Sequence, residues 1–403
     1  MSDHTHRTAP VTDWGTDYDI LDPDYVADPY PVWDDLRRHC PIAHTDRWGG
    51  SWLPTRYEDV AAIAHDHAGF SSSDPAVLSF TDEERPPPPV EIPLPPIDAD
   101  QPDHTWTRRL LLPWFSHSRV AEYEPSTRAL CNRLIDEFIE TGSADAAGQY
   151  ARQIPVRVIG LILGVPDELS DTFTGWVQDM LEFAHDEARS ARGRDAMTEY
   201  LLGQLEHRRT EPGDDLISAL LHARHDGEPV DDLKVMGIAA LTLIAGVDTT
   251  WSGIGSAMLH LATHPDDAAR LVAEPDIITT AIEELLRAYS PVTMARITVD
   301  DIEVAGCPMK AGDKVLMNFP GANRDPEVFD RPDEVMLDRA QNRHLAFGVG
   351  IHRCAGSNLA RMEMRVAVQE WLARIPEFRL ADGAEVTWAG GQVRGPRQVP
   401  VVF

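Results

Sequence analysis

The 403-residue chain carries 66 acidic against 36 basic residues, a formal net charge of −30, and 43% hydrophobic residues. That apolar share supports a sizeable core, and the negative surface opposes phosphate backbones, which excludes nucleic acid as a natural partner. Cys40, Cys131, Cys307 and Cys354 stand too far apart for a zinc ribbon or a redox pair. With the polar start MSDHTHRTAPVTDWG, they predict a soluble, cytoplasmic protein without a membrane anchor.

The pattern predicts a short helix over Pro31–Arg38, a strand over Gly50–Pro54 and a helix over Tyr57–His65. Pro86–Pro96, PPPPVEIPLPP, predicts an extended stiff loop or docking segment, because proline removes backbone donors. Helices follow over His104–Phe115, Ser118–Thr141, Pro155–Leu163, Glu168–His185 and Gly193–Glu211. Asp231–Thr263 is a helix with one turn-like weakness, at Gly246; at ~1.5 Å per residue it is roughly 50 Å long. Asp248, Thr249 and Thr250 interrupt its apolar run, which marks a core helix and not a membrane span. Pro275–Tyr289 is helical, and Val292–Asn318 alternates like strands with a hairpin near Lys310–Asp313. Asn323–Asn342 is irregular, Glu363–Arg374 is helical, and the tail from Phe378 is strand-like. The fold class is mainly α with a minor sheet, α+β.

The segment from His344 to Arg361, HLAFGVGIHRCAGSNLAR, carries the chemistry. Phe347, Gly348 and Gly350 precede Cys354, and Gly356 follows it. Glycines allow positive φ and close approach of backbone to a flat ligand. A helix begins just after the cysteine, so free amides and the positive dipole end favour a thiolate there. This arrangement suits an anionic sulfur held against a metal. His104 and Arg108, four apart, share one helix face, as do Glu284 and Arg287, three apart.

Phe347, Gly350, His352, Cys354, Gly356 and Ala360 stand at the spacings of the heme-binding loop of the bacterial cytochrome P-450 family. The chain resembles that family from about Asp22 to Phe403. The resemblance implies a single heme-thiolate monooxygenase domain over 1–403. It implies a helix-rich triangular prism, with a smaller β-rich lobe mainly at 30–75, 292–320 and 378–403. It implies heme b with Cys354 as axial iron ligand, and Ala245, Phe347, Gly348 and Gly356 against the heme. His104, Arg108, Arg296 and His352 match partners of the heme carboxylates, which need cations when buried. Asp248–Thr249 resembles the acid–alcohol pair that delivers protons for O–O cleavage. Glu284, Arg287 and Arg339 match a buried charge cluster that fixes the heme loop, with Phe329 and Pro332 in the same stretch.

The implied reaction activates O2 at the iron and hydroxylates, dealkylates or epoxidises a small-to-medium hydrophobic substrate. Positions matching substrate contacts are Leu78, Phe80, Leu241, Ala245, Val292, Met294 and Val393, mostly apolar. No flavin or iron–sulfur segment follows Phe403, so electrons are expected from a ferredoxin and its NAD(P)H-dependent reductase, docking near Arg353 and Arg361. Two alternatives are a peroxide-driven peroxygenase, against which Asp248–Thr249 argues, and a heme-binding sensor. A hydrolase lacks its Gly-x-Ser-x-Gly elbow.

Overall fold

A computed structural model of the chain describes residues 9–80 and 92–403. Most of the proline-rich stretch Pro86–Pro96 lies outside the described residues. Its end, from Ile92, is described, and there the Pro93 carbonyl lies against Gly237: a Cβ at 237 would stand 1.8 Å from that oxygen.

The long helix is the axis of the molecule. It runs unbroken over Asp232–Thr263, capped by the Asp231 side chain accepting from the Leu233 N–H. It is apolar enough to cross a membrane by length and composition, but two-thirds of that apolar stretch is buried inside the protein. Helices Gln153–Leu163, Ser170–Leu181, Glu187–Thr210 and Ser357–Arg374 pack around it. Their apolar faces form one large core with the long helix, including Ile159, Val247, Met258, Leu285 and Trp371.

The helix expected from Gly193 starts earlier, at Glu187, because Asp186 caps it by accepting from the Arg189 N–H. Helices Leu216–His222 and Pro265–Ala273 were not among the expected elements. Gly246 does not weaken the long helix. It is small because Ile159 packs there, and a Cβ would meet the Ile159 side chain at 2.5 Å.

The main sheet has five strands, in the order Ile42–Thr45, Ser51–Pro54, Lys314–Met317, Met294–Thr298, Phe70–Ser71. The expected hairpin at Lys310–Asp313 is displaced. The turn there joins strands of two different sheets, whereas the hairpin closes at Ala305–Gly306, between Ile302–Val304 and Cys307–Met309. Both turn residues have positive φ, 49° and 84°, the geometry that two-residue hairpins need. The tail strand Pro400–Val402 pairs with Arg379–Leu380 and, further back in the chain, with Ser143–Asp145.

Candidate active site

The Cys354 loop is built by backbone. Gly348 and Gly350 take φ of 63° and 78°, and a Cβ on Gly350 would stand 2.4 Å from the Ala64 carbonyl oxygen. The Cys354 N–H donates to the Phe347 carbonyl at 2.8 Å and Gly348 N–H to the Leu345 carbonyl at 2.8 Å. Helix Ser357–Arg374 starts three residues later, with Gly356 at its cap. Cys354 is exposed, yet burial pushes its thiol pKa up against the lowering by the Gly356 N–H, Arg108, Arg353 and Arg361.

The long helix bares surface on one stretch only of its middle. Ala245 is exposed and Ile244, Gly246 and Thr249 are half-buried, between turns that are buried throughout. Thr249 Oγ1 donates to the Ala245 carbonyl at 2.8 Å. Asp248 turns the other way and is 1% exposed. Arg397 Nη2 stands 2.8 Å from its Oδ1, but off the angle of a hydrogen bond, so neither carboxylate oxygen has a donor among the described residues. Arg397 also donates to Glu182 Oε2 at 2.9 Å and Ser252 Oγ at 3.1 Å, with its guanidinium over the Trp251 ring. Burial raises the Asp248 pKa; Arg397 opposes that and Glu182 adds to it. Sequence reading missed Arg397 and Glu182. They lie on a tail strand and after a distant helix, and no local spacing links them to Asp248.

Two arginines and two histidines converge near the thiol. His104 and His352 rings lie 4.3 Å apart, and Arg108 Nη2 donates to the Arg353 carbonyl. Arg296 is 7% exposed and donates from Nη1 only to its neighbour's carbonyl, that of Ala295. Neither His104 ring nitrogen has a well-aligned partner among the described residues, and His352 Nε2 is 2.9 Å from Ser72 Oγ. None of the four forms an ion pair among the described residues. Burial, then Arg296, His104, Arg108 and His67, push His352 down to about 3; burial brings Arg296 down to about 10, with Asp100 opposing. Buried positive charge without an anion is costly. The cluster therefore fits a ligand bearing carboxylates, and the inward thiol fits a metal at the same place.

Glu284 and Arg287 are fully buried. Arg287 Nε and Nη2 donate to the two Glu284 oxygens at 2.8 Å each. Arg339 Nε at 2.9 Å, the Met336 N–H at 2.9 Å and Asn342 Nδ2 at 3.1 Å complete the carboxylate. Arg287 goes on to the carbonyls of Asn323, Pro332 and Glu334. Asn323 Oδ1 then accepts from the Leu345 N–H at 2.6 Å, just before the cysteine loop. Asn323 and Asn342 were not singled out in the sequence; two amides in an irregular segment carry no periodic signal.

The apolar candidates divide. An isolated bridge joins Val292 to Val393, and Gln392 Nε2 lies 3.2 Å from Met294 Sδ, so three of them meet. Leu241 is buried but lies outside the three core clusters, and Ala245 follows one turn on. Leu78 packs into the N-terminal cluster with Tyr18, Trp33 and Ala295, and Phe80 sits edge-on to Trp48. Arg361, expected as a docking cation, is instead engaged by Glu283 at 2.5 and 2.8 Å and lies over the Phe347 ring. Arg353 is exposed and makes no ion pair among the described residues.

Residues 169–380 match the cytochrome P-450 family. The mycinamicin IV hydroxylase/epoxidase of Micromonospora griseorubida is 35% identical over 88% of this chain and 89% of its own length. The vitamin D(3) 25-hydroxylase of Pseudonocardia autotrophica is 35% identical over 98% of both chains. The crystal structure of cytochrome P-450 CYP109Q5 from Chondromyces apiculatus superposes with a TM-score of 0.86 at 32% identity, covering 97% of this chain and 98% of that one. A helix-rich fold with a small sheet, and a cysteine in a glycine-built loop before a helix, are those of a heme-thiolate oxygenase. The chain belongs to the cytochrome P-450 family; it is a monooxygenase whose cofactor is heme b.

Proposed function

We propose that this monooxygenase acts in the cytoplasm on a small-to-medium hydrophobic organic substrate, with O2 and with electrons from a separate ferredoxin and its NAD(P)H-dependent reductase. The observation that carries the site assignment is that two arginines and two histidines, Arg108, Arg296, His104 and His352, gather beside the thiol with no ion pair among the described residues. Four unpaired cysteines suit a reducing compartment.

Heme b held here supplies reductive activation of O2 and insertion of one oxygen atom, by hydroxylation, dealkylation or epoxidation. Cys354 would hold the iron through Sγ; burial raises its thiol pKa, and the Gly356 N–H, Arg108, Arg353 and Arg361 oppose that rise. His104, Arg108, Arg296 and His352 neutralise the heme carboxylates. Phe347, Gly348, Gly356 and Ala245 offer surface and room for the ring.

Asp248 is the acid of the pair: burial raises its pKa against the lowering by Arg397, which brings its carboxyl closer to a group that can take up and pass on a proton. Arg397 restrains that side chain on the far side of the helix. Thr249 Oγ1 presents the proton on the bare face, beside Ala245. Leu241, Ala245, Val292, Met294 and Val393 give the substrate an apolar wall, and Leu78 and Phe80 back it from the N-terminal cluster. Glu284, Arg287 and Arg339 hold the loop and take no part in the reaction.

A panel of hydrophobic ligands read by heme absorbance identifies the substrate class. Turnover with ferredoxin, reductase and NADPH is the expected result. Robust turnover with peroxide and none with the electron-transfer proteins overturns it. Thr249→Ala is expected to bind substrate as before while most electrons go to hydrogen peroxide; tight coupling in that variant removes the proton-relay assignment.

A further inference from the structure

Two adjacent glutamates on helix Ile278–Ala288 divide the cysteine loop between them. Glu284 takes the arginines that hold the irregular segment. Glu283 reaches the loop itself. Its Oε1 accepts from Arg361 Nε at 2.5 Å, and its Oε2 from Arg361 Nη2 at 2.8 Å. Oε2 also stands 3.0 Å from His344 Nε2. His344 Nδ1 accepts from the Ala346 N–H at 3.2 Å, which leaves Nε2 as the donor toward Glu283.

The Arg361 guanidinium lies over Phe347, 4.4 Å from the ring centroid, and the Phe347 carbonyl accepts the Cys354 N–H. Arg361 is also one of three cations whose field reaches the Cys354 sulfur. Burial pushes the Glu283 pKa up, but hydrogen bonds from Arg361 and His344 hold it down at about 2, so it is ionised. Arg361 and Glu283 therefore pair one positive with one negative charge, with the arginine held by Glu283 and laid over Phe347.

We propose that Glu283 is a positioning residue for the Cys354 centre: it fixes Arg361 over Phe347 and cancels that cation's charge, and so sets the reduction potential of the bound heme iron. Reduction adds one negative charge, so an uncompensated cation nearby favours the reduced form and a missing cation disfavours it. Outer hydrogen bonds and net charge are established controls on such centres. The inference rests on Cys354 being the iron ligand.

The test is a dye-mediated redox titration of the heme-loaded protein. Glu283→Gln is expected to favour the reduced form roughly threefold, about 28 mV at 59 mV per tenfold for one electron. Arg361→Gln is expected to shift the equilibrium by a similar factor the opposite way, and the double variant to return close to the parent. A residue that merely braced the loop would move both variants in one direction. Shifts of the same sign, or none, overturn the proposal. Should Glu283→Gln lose its heme, Arg361→Lys, which keeps the charge, is compared with Arg361→Gln: a lower potential in Arg361→Gln alone supports the proposal, and equal potentials overturn it. A parent protein without the red-shifted carbon monoxide band removes the ligand assignment beneath it; a parent with that band and unmoved potentials removes this inference alone.

Discussion

Two groups of buried charge sit within one chain and differ in completeness. Around Glu284, every carboxylate oxygen has donors and Arg287 and Arg339 spend their N–H groups on carbonyls. Around His104 and Arg296, polar groups gather with the His104 ring nitrogens unpartnered and no ion pair among the described residues. A buried cluster that closes on itself holds a fold together; one that stays open has room for a partner. Under the function proposed above, that partner is the pair of heme b carboxylates.

Four measurements break or sharpen that contrast. Cys354→Ala has the largest effect: the red-shifted carbon monoxide band of the reduced protein is lost completely, because the open cluster then holds a ring whose iron has no thiolate. A retained band ends the assignment. Glu284→Gln leaves two arginines buried without their counter-charge, and denaturant unfolding is expected to show a loss of about 3–5 kcal/mol. A loss under about 1 kcal/mol would mean that the closed cluster is not structural in this sense.

Arg296→Met divides the two states. Heme affinity is expected to fall roughly 10–100-fold, the range for outer partners of a metal centre. The heme-free protein is expected to keep or gain stability, since an unpaired buried cation is gone. Destabilised heme-free protein would move Arg296 into the closed class.

Glu363 is the smallest case, a lone buried acid whose two oxygens have no partner among the described residues. Burial raises its pKa well above 4.5. The folded state therefore keeps a proton that the unfolded state releases, and stability falls as pH rises above about 4.5. The slope is about 1.4 kcal/mol per pH unit until the folded pKa is reached. Glu363→Gln should remove that slope; an unchanged pH dependence of unfolding contradicts it.

The closed cluster was half legible in the sequence. Glu284 and Arg287 show themselves by helical spacing, but Asn323 and Asn342 reach them only once the irregular segment has folded back. The cysteine loop was read in full, because positive φ and close backbone approach leave only glycine at fixed positions. Asp248 was read without Arg397, since their meeting depends on strand Gly395–Gln398, paired with Thr387–Ala389, packing against the long helix. Gly246 misled: a glycine in a helix signals either weakness or a close neighbour, and only the packing of Ile159 tells which.

The Pro93 carbonyl rests on the long helix at Gly237, where a single hydrogen separates contact from collision. Exchanging that hydrogen for a methyl group would drive the loop end off the helix. The end of the proline-rich stretch is thus seated by the missing side chain of Gly237 on the molecule's longest helix.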